Sequence, residues 1–462
     1  MKKQNRIAFF NFLSVILLKG ISLFSAPIFS RILGTDGYGM VSVYTIWVGV
    51  VAIVFPLQVH ATLPAAKVEL PEGQQNAYHS AILTLAMLSC GLFSALVMAF
   101  LKPVSQALGL PGWLIGILLL HAFFNFCLQF INQKFVYEFR ADLNCLISVL
   151  VAVLTLGLSV LFIWLLPEEQ KYYGRIFGMA LTYGLLGLWA CFYILRRGKT
   201  GFHREYWKFC LPLGIPMVFY TLSDLILGQS DRVMLQHMMD VSAVGQYSLA
   251  MNFGMIMFTI FSALNTSWCP FFFEDMKYGR RDNVRRQMGN FMELYTVLSM
   301  GFVLLHREVF QVFADSRFWS AMSCIPLFVL GYYFNFLCTF PVNYEYYRKQ
   351  TKATALVTIL AAAVNIGLNY ILIRALGILG AALATMLSHG LQFTVHFFYA
   401  RFFLGKGDYP FLLGKNLLWP VGFLLVIALT YLTPGLWWLR WTLGGGLGIW
   451  ELLRIRRRHS LF

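Results

Sequence analysis

Charged side chains are scarce in this chain of 462 residues: Asp, Glu, Lys and Arg make up only 12%. A soluble domain usually carries about 25% charged residues. Hydrophobic residues make up 59% of the chain and aromatic residues 17%. So few charges cannot cover a water-facing surface of normal extent. The composition therefore excludes an ordinary soluble enzyme and indicates that lipid surrounds much of the protein.

Signatures of catalysis and of metal binding are also missing. The eight cysteines form no CxxC pair and lie in or beside apolar runs, so we interpret them as packing residues. Gly198-Lys199-Thr200 resembles the end of a phosphate-binding loop, but Tyr193 stands where that loop needs a glycine. The histidines form neither HExxH nor a close ligand cluster. We therefore expect no enzyme, no metal site and no cofactor.

Long apolar runs occupy nearly the whole chain. Because about 20 apolar helical residues cross a bilayer core, each run predicts a transmembrane helix. Arg31 follows the first run where a signal peptide would have a small-residue cleavage site, so we expect that run to remain. The sequence thus predicts an all-α integral membrane protein with about 14 transmembrane helices. The fourteen runs are 8–33, 40–65, 77–101, 112–133, 143–166, 174–195, 208–230, 243–266, 290–313, 322–343, 353–375, 378–403, 413–432 and 436–453.

The net charge of +16 is distributed unevenly between the two sides of the predicted membrane. With fourteen spans, 26 lysines and arginines fall on the side of the termini, nine fall opposite, and Lys19 lies within the first span. Positive residues favour the cytoplasmic side, so this distribution predicts a multi-pass membrane protein with both termini in the cytoplasm. The strongest basic loops are 196–208 and 277–286. We attribute them to topology and to attraction by anionic lipid headgroups.

A polar, basic segment divides the chain into similar halves. The sequence from Asp36 to Tyr44 resembles the sequence from Ala243 to Ala250, and each opens a helix after a short outer loop. Six predicted spans precede the segment, and six follow it before the last two. We therefore predict two six-helix lobes related by a parallel repeat, as in rocker-type transporters. The predicted domains are an N-terminal lobe (1–197), a basic linker (198–207), a C-terminal lobe (208–405) and two additional helices (406–462).

Charged residues inside the predicted spans are the strongest functional candidates. A charge at the centre of a membrane helix costs about 2.5–3.5 kcal/mol on insertion scales, so it is usually partnered or faces water. Lys19 lies mid-span on a polar face that includes Ser22, and we expect both to face a cavity. Tyr220, Asp224 and Asp231 form one stripe of the seventh span. Asp224 would pair with Lys19 or take up a coupling proton, and Asp231 with Arg232 would form an ion pair at the membrane interface.

Uncharged polar residues form stripes on several other spans. We predict that these stripes line a hydrated cavity between the lobes and offer donors and acceptors to a sugar; interhelical packing is the alternative. His389 would also titrate near neutral pH. The predicted cavity residues are Lys19, Ser22, Asn125, Gln129, Tyr220, Asn335, Asn369, His389 and Gln392.

Three segments together resemble a known transporter family. They run from Pro27 to Gly39, from Ser230 to Ser248, and from Leu376 to Thr385. Their order and spacing are similar to those of the polysaccharide-transporter, or O-antigen flippase, branch of the multidrug/oligosaccharidyl-lipid/polysaccharide (MOP) exporter superfamily. The resemblance covers positions 5 to about 400, and the last two spans carry no recognised motif.

The resemblance implies a MATE-like fold and a flippase that moves an oligosaccharide on undecaprenyl pyrophosphate. Lys19 best fits the cationic residue that contacts the anionic headgroup in such flippases, while Arg31, Arg232 and Arg374 would lie at the outer rim. The coupling ion would be H⁺ or Na⁺. Expected partners are the lipid-linked oligosaccharide, membrane lipids, a polysaccharide polymerase and a chain-length regulator, with no nucleic acid. The alternatives are a cation-coupled multidrug exporter of the same superfamily, a membrane polymerase or glycosyltransferase using the same lipid carrier, and a scaffold in a glycan-assembly complex.

Overall fold

A computed structural model describes the backbone of residues 3–138, 140–405, 409–411 and 413–458. Side chains are described from residue 25 onward, except at 139, 141, 267, 351, 352, 355, 406–408, 412, 413, 415 and 457–462. Within these residues the chain forms helices joined by short turns and contains no strand. The α-helices are α1 (Lys3–Val54), α2 (Leu63–Glu69), α3 (Glu72–Ala99), α4 (Leu101–Leu108), α5 (Gly112–Tyr137), α6 (Ala141–Leu165), α7 (Lys171–Gly198), α8 (Arg204–Met238), α9 (Val241–Lys277), α10 (Arg281–Phe313), α11 (Ile325–Tyr347), α12 (Thr351–Leu376), α13 (Ile378–Phe398), α14 (Leu413–Asn416), α15 (Leu418–Leu432) and α16 (Trp437–Arg458).

The fold class expected from the apolar runs is confirmed. In the part of the chain that the structure describes, eleven helices are long and apolar enough to cross a membrane, and Leu418–Leu432 is a shorter apolar helix. The first predicted span and most of the second lie in α1, which consists of two helical segments that meet at a kink at Gly34. Gly34 has φ 67° and ψ −175°, a backbone conformation that essentially only glycine adopts.

The chain forms two compact units, Met1–Gln229 and Ser230–Phe462. The boundary between them falls within α8. The non-helical turn before α8 lies in the predicted basic linker, 198–207. The predicted assignment of six helices to each lobe stays a prediction.

Close helix packing holds the first unit together. A Cβ atom added at Gly174 in α7 would lie 2.6 Å from the backbone nitrogen of Ile163 in α6, and one at Gly187 would lie 2.6 Å from Cβ of Phe124 in α5. Only glycine permits such approaches, so α7 packs directly against the backbones of its neighbours. This is the small-residue packing typical of membrane helices, which cannot rely on a hydrophobic driving force within lipid.

Aromatic side chains form much of the core of the second unit. The rings of Phe291 and Phe336 lie 5.0 Å apart with their planes at 76°, and those of Trp268 and Phe340 lie 5.5 Å apart at 82°. All four side chains are buried. Such edge-to-face pairs contribute about 0.5–1.5 kcal/mol beyond the area they bury. This core joins α9, α10 and α11 and positions the polar residues described next.

Candidate functional site

The predicted cavity cation lies outside the described side chains. Lys19 and Ser22 fall in α1, where the structure describes the helix backbone only. Their orientation toward a cavity therefore stays a prediction, and so does the pairing of Lys19 with Asp224.

The polar stripe of α5 divides into a buried part and an accessible part. His121 is buried, and its Nδ1 lies 3.0 Å from the hydroxyl of buried Tyr44. Asn125 is half-buried and Gln129 is exposed, and Nε2 of Gln129 donates to Oδ1 of Asn125 at 3.3 Å. His121 thus bonds a neighbouring helix, whereas the two amides lie on an accessible face within a membrane-spanning helix.

Tyr220 and Asp224 are exposed on α8 of the first unit. No hydrogen bond or ion pair joins Asp224 to another residue that the structure describes. An ionised or polar group without a protein partner is tolerated inside a membrane segment when it meets water or a ligand. The two side chains are therefore placed as a polar lining would require.

Asp231, in contrast, is buried within the second unit, with 1% of its surface exposed. Its carboxylate accepts hydrogen bonds from the Tyr247 hydroxyl, from Oγ1 of Thr385 at 3.4 Å and from the backbone N–H of Arg232 at 2.8 Å. Tyr247 comes from α9 and Thr385 from α13, so this carboxylate joins three helices.

The Arg232 side chain is also buried, although we expected it at the outer rim. Its Nη2 lies 3.2 Å from Sδ of Met251 in α9. Burial by neighbouring helices does not fix a depth in the membrane, so the rim position of Arg232 stays a prediction. The polar sequence around Ser230 suggested the end of a span. The helix instead continues to Met238 and packs against α9. The ion pair of Asp231 with Arg232 stays a prediction.

An amide pair on α12 adjoins Asp231 through the preceding residue. The Ser230 hydroxyl donates to Oδ1 of Asn365 at 3.1 Å, and Nδ2 of Asn369 donates to the same oxygen at 2.9 Å. Both asparagines are fully buried. Among the described residues, Oδ1 of Asn369 and Nδ2 of Asn365 have no hydrogen-bond partner. An unpaired buried amide is costly, so these atoms are positioned for water or a ligand.

We call Ser230, Asp231, Tyr247, Asn365, Asn369 and Thr385 the Asp231 cluster. It offers one carboxylate and several neutral oxygens from four helices, a donor set that suits a hard monovalent cation or a proton. No group of three or more His, Cys, Asp or Glu suited to a metal ion occurs in the described residues. A site for a transition metal is therefore not indicated there.

The remaining predicted residues of the second unit do not join this cluster through any bond the structure shows. Asn335 and His389 are half-buried on α11 and α13. Nε2 of Gln392 lies 3.4 Å from Oγ1 of Thr358, which links α13 to α12. This contact fits interhelical packing, the alternative interpretation of the stripes.

A buried acid–base pair was missed from the sequence. Nδ1 of His396 lies 2.8 Å from Oε1 of Glu345, and both side chains are fully buried. Oγ1 of Thr354 donates to the other carboxylate oxygen at 2.8 Å. Glu345 follows the predicted span 322–343 by two residues and was interpreted as part of a loop. The helix α11 instead continues to Tyr347, so Glu345 lies within the helix, where it is fully buried.

A second buried charge was also assigned to a loop. Lys134 is 1% exposed, and its Nζ lies 2.7 Å from Oε1 of Glu138, 2.7 Å from Oδ1 of Asn76 and 3.0 Å from Nδ1 of His79. The i,i+4 spacing of Lys134 and Glu138 on a helix was the available signal. This cluster ties α5 to α3 within the first unit.

Solved structures share the fold of this chain. The structure described as "Lipid II flippase MurJ, inward closed conformation" matches with a TM-score of 0.74, covering 98% of this chain and 99% of that one at 14% identity. A multidrug resistance MATE family transporter of the MOP superfamily, in an inward-facing conformation, matches with a TM-score of 0.68, covering 86% and 99% at 14% identity. The chain therefore shares the fold of these two proteins.

The family follows from the sequence comparison. Residues 6–276 match the family model described as "Polysaccharide biosynthesis protein", and the chain belongs to that family. Among curated proteins, "Lsg locus putative protein 1" of Haemophilus influenzae is 22% identical over an alignment of 359 positions that covers 74% of this chain and 84% of that protein. The chain is thus a multi-span membrane protein of the polysaccharide biosynthesis family.

Proposed function

We propose that this protein flips an undecaprenyl-pyrophosphate-linked oligosaccharide from the cytoplasmic to the outer leaflet of the bacterial cytoplasmic membrane. The product would be a unit of O-antigen, capsule or exopolysaccharide. The observation that carries the proposal is membership of the polysaccharide biosynthesis family, found together with a fold shared over 98% of the chain with a lipid II flippase. Both termini would lie in the cytoplasm, as the distribution of positive residues predicts.

The physical problem is to move a hydrated glycan and a diphosphate through hydrocarbon. Polar side chains along the path must replace the lost water, while the polyprenyl tail remains in the bilayer. Asn125 and Gln129 on α5 and Asp224 on α8 support such a path, because they are accessible polar groups within membrane-spanning helices. Alternating access would expose this lining first to the cytoplasm and then to the outside.

The diphosphate requires compensating positive charge along this path. We propose that Lys19 supplies part of it. Its mid-span position in the sequence supports this role, since a mid-membrane lysine is costly unless it meets an anion or water. A charge-assisted hydrogen bond is worth about 1.5–3 kcal/mol, so removal of the ammonium group should slow transport about tenfold or more.

Coupling to a cation is the second element of the proposal. We place it at the Asp231 cluster rather than at Asp224, because Asp231 is buried and the preceding Ser230 bonds an amide pair in which Oδ1 of Asn369 lacks a described partner. Occupation of this cluster by Na⁺ or H⁺ would change how α8, α12 and α13 pack against one another. A polysaccharide polymerase and a chain-length regulator would receive the flipped unit.

The direct test is transport of a fluorescent lipid-linked oligosaccharide in liposomes. The reconstituted protein should accelerate outward movement over that in empty vesicles. Lys19→Ala should slow movement about tenfold or more, whereas Lys102→Ala should not, since Lys102 is exposed at the start of α4. Absence of acceleration by the wild-type protein would count against flipping. Equal rates for the two lysine variants would remove Lys19 from the proposed path.

A cation-coupled multidrug exporter is the second candidate, because a MATE transporter shares the fold with a TM-score of 0.68. The same liposomes loaded with an organic cation such as ethidium distinguish the two functions. Ethidium transport driven by a H⁺ or Na⁺ gradient, with no movement of the lipid-linked sugar, would favour the exporter.

A further inference from the structure

A cleft opens at the basic end of the second unit, the end that carries the positive loops. Its volume is about 830 Å³, within the range of ordinary ligand pockets. It lies where α10 begins and α13 ends, and α14 closes one side of it. It is lined by Arg285, Arg286, Met288, Phe397, Arg401, Phe402, Pro410, Phe411, Gly414 and Asn416.

Three guanidinium groups meet at this cleft with little compensating negative charge. Arg285 pairs with Asp282 at 3.1 Å on the exposed surface of α10. Arg286 donates to the neutral amide oxygen of Asn283 at 2.7 Å. No carboxylate among the described residues forms an ion pair with Arg286 or Arg401. The cleft therefore favours an anion, and the planar donors of arginine suit phosphate.

Aromatic side chains form the other wall of the cleft. The side chain of Phe402 is 61% exposed and stacks on Phe398 with ring centroids 5.5 Å apart, while Phe411 is buried beneath. A large exposed aromatic surface beside arginines does not suit a small hydrated ion. It suits an amphiphile whose anionic head meets the guanidinium groups and whose apolar part covers the rings.

The level of the cleft along the helices agrees with this chemistry. Arg285 and Arg286 lie in the second turn of α10, and the apolar run 290–313 of the same helix begins one turn later. The arginines thus stand where a membrane helix leaves the hydrocarbon and meets the headgroups. Basic pockets between helices at this level are typical binding places for anionic lipid headgroups.

We propose that this cleft is a specific binding site for an anionic phospholipid. The phosphate lies against Arg286 and Arg401, and the glycerol and upper acyl chain lie against Phe397 and Phe402. The inference is independent of the transported substrate, because it concerns a resident membrane lipid. A soluble phosphate would use the same guanidinium groups but would leave the aromatic wall uncovered.

The test is native mass spectrometry of the full chain in neutral detergent, titrated with dioleoyl phosphatidylglycerol or dioleoyl phosphatidylcholine. The wild-type protein should retain phosphatidylglycerol in preference to phosphatidylcholine. Arg286→Gln with Arg401→Gln should weaken phosphatidylglycerol binding about 30-fold, from the usual contribution of each basic residue near a headgroup. The matched control is Arg196→Gln with Arg204→Gln, which removes two exposed charges from the basic loop of the first unit and should retain the wild-type affinity.

Further experiments distinguish a lipid phosphate from a soluble phosphate. They also keep the test valid if the glutamine variant misfolds. Arg286→Lys with Arg401→Lys should keep most of the binding, since positive charge remains. Inorganic phosphate and glycerol 3-phosphate should not displace the long-chain lipid. The proposal would be overturned if the wild-type protein and the glutamine variant bound the lipid equally. It would also be overturned if binding were lost only when all positive loops are altered, or if inorganic phosphate displaced the lipid equally well.

Discussion

Substitutions of the buried residues Glu345 and His396 should have strongly coupled effects on the free energy of unfolding. The two groups lie 2.8 Å apart with no exposed surface, and Thr354 donates a further hydrogen bond to the carboxylate. Removing one partner of a buried ion pair typically costs about 3–5 kcal/mol, because the other charge is left buried and unpaired. If the pair is charged, we therefore expect Glu345→Ala and His396→Ala each to lower the free energy of unfolding by about that amount.

The double variant decides whether the pair is charged. If glutamate and imidazolium face each other, the loss in the double variant should be smaller than the sum of the single losses by about 2–3 kcal/mol. If both groups are neutral, the difference should be about 1 kcal/mol, the value of an ordinary hydrogen bond. The free energies are measured by denaturant titration of the purified protein in mixed micelles.

An exposed pair provides the matched control for this cycle. Lys208 and Glu205 lie 3.4 Å apart at the start of α8, with more than half of each side chain exposed. Solvent and side-chain entropy weaken such pairs, so their coupling should be below about 1 kcal/mol. A coupling between Glu345 and His396 no larger than in this control would refute the reasoning from burial.

Three further predictions concern other contacts. Gly174→Ala should destabilise the first unit by about 1–3 kcal/mol, since its new methyl group would overlap the backbone of α6. Gly184→Ala on the same helix meets no atom within 4 Å and should be neutral or slightly stabilising, as thermal unfolding of both variants will show. Tyr247→Phe removes a hydrogen bond from the buried carboxylate of Asp231 and should cost about 1.5–3 kcal/mol of unfolding free energy. Lys134→Met removes a buried ammonium group whose partner Glu138 is partly exposed, and it should cost about 1.5–3 kcal/mol in the same measurement.

Each of these predictions has a contrary outcome. Equal melting temperatures for the two glycine variants would contradict the close packing of α7 on α6. An unchanged unfolding free energy for Tyr247→Phe would mean that the phenol does not stabilise the carboxylate of Asp231. An unchanged unfolding free energy for Lys134→Met would show that the desolvation cost of the ammonium group offsets the whole free energy of its interaction with Glu138.

The membrane-spanning helices could be predicted from the sequence because their signal is local. About 20 apolar residues in a row have few alternatives to a membrane helix. The ends were harder to predict, since charged residues beyond an apolar run do not stop a helix. Lys134 and Glu345 both lie in helical extensions of predicted spans and find buried partners there. Counting them as loop residues hid two polar clusters.

The direction in which a polar stripe faces could not be predicted from its periodicity. Gln129 and Asn369 both belong to stripes of amides at helical spacing, yet Gln129 is exposed and Asn369 is fully buried. The helical period determines only which residues share a face of the helix. Whether that face contacts another helix or is exposed depends on how the neighbouring helices pack. The same limit explains why Asp224 and Asp231, two turns apart on α8, differ in burial. The proposed mechanism uses both environments: the accessible lining would contact the substrate, and the buried cluster would respond to a cation by changing how its helices pack.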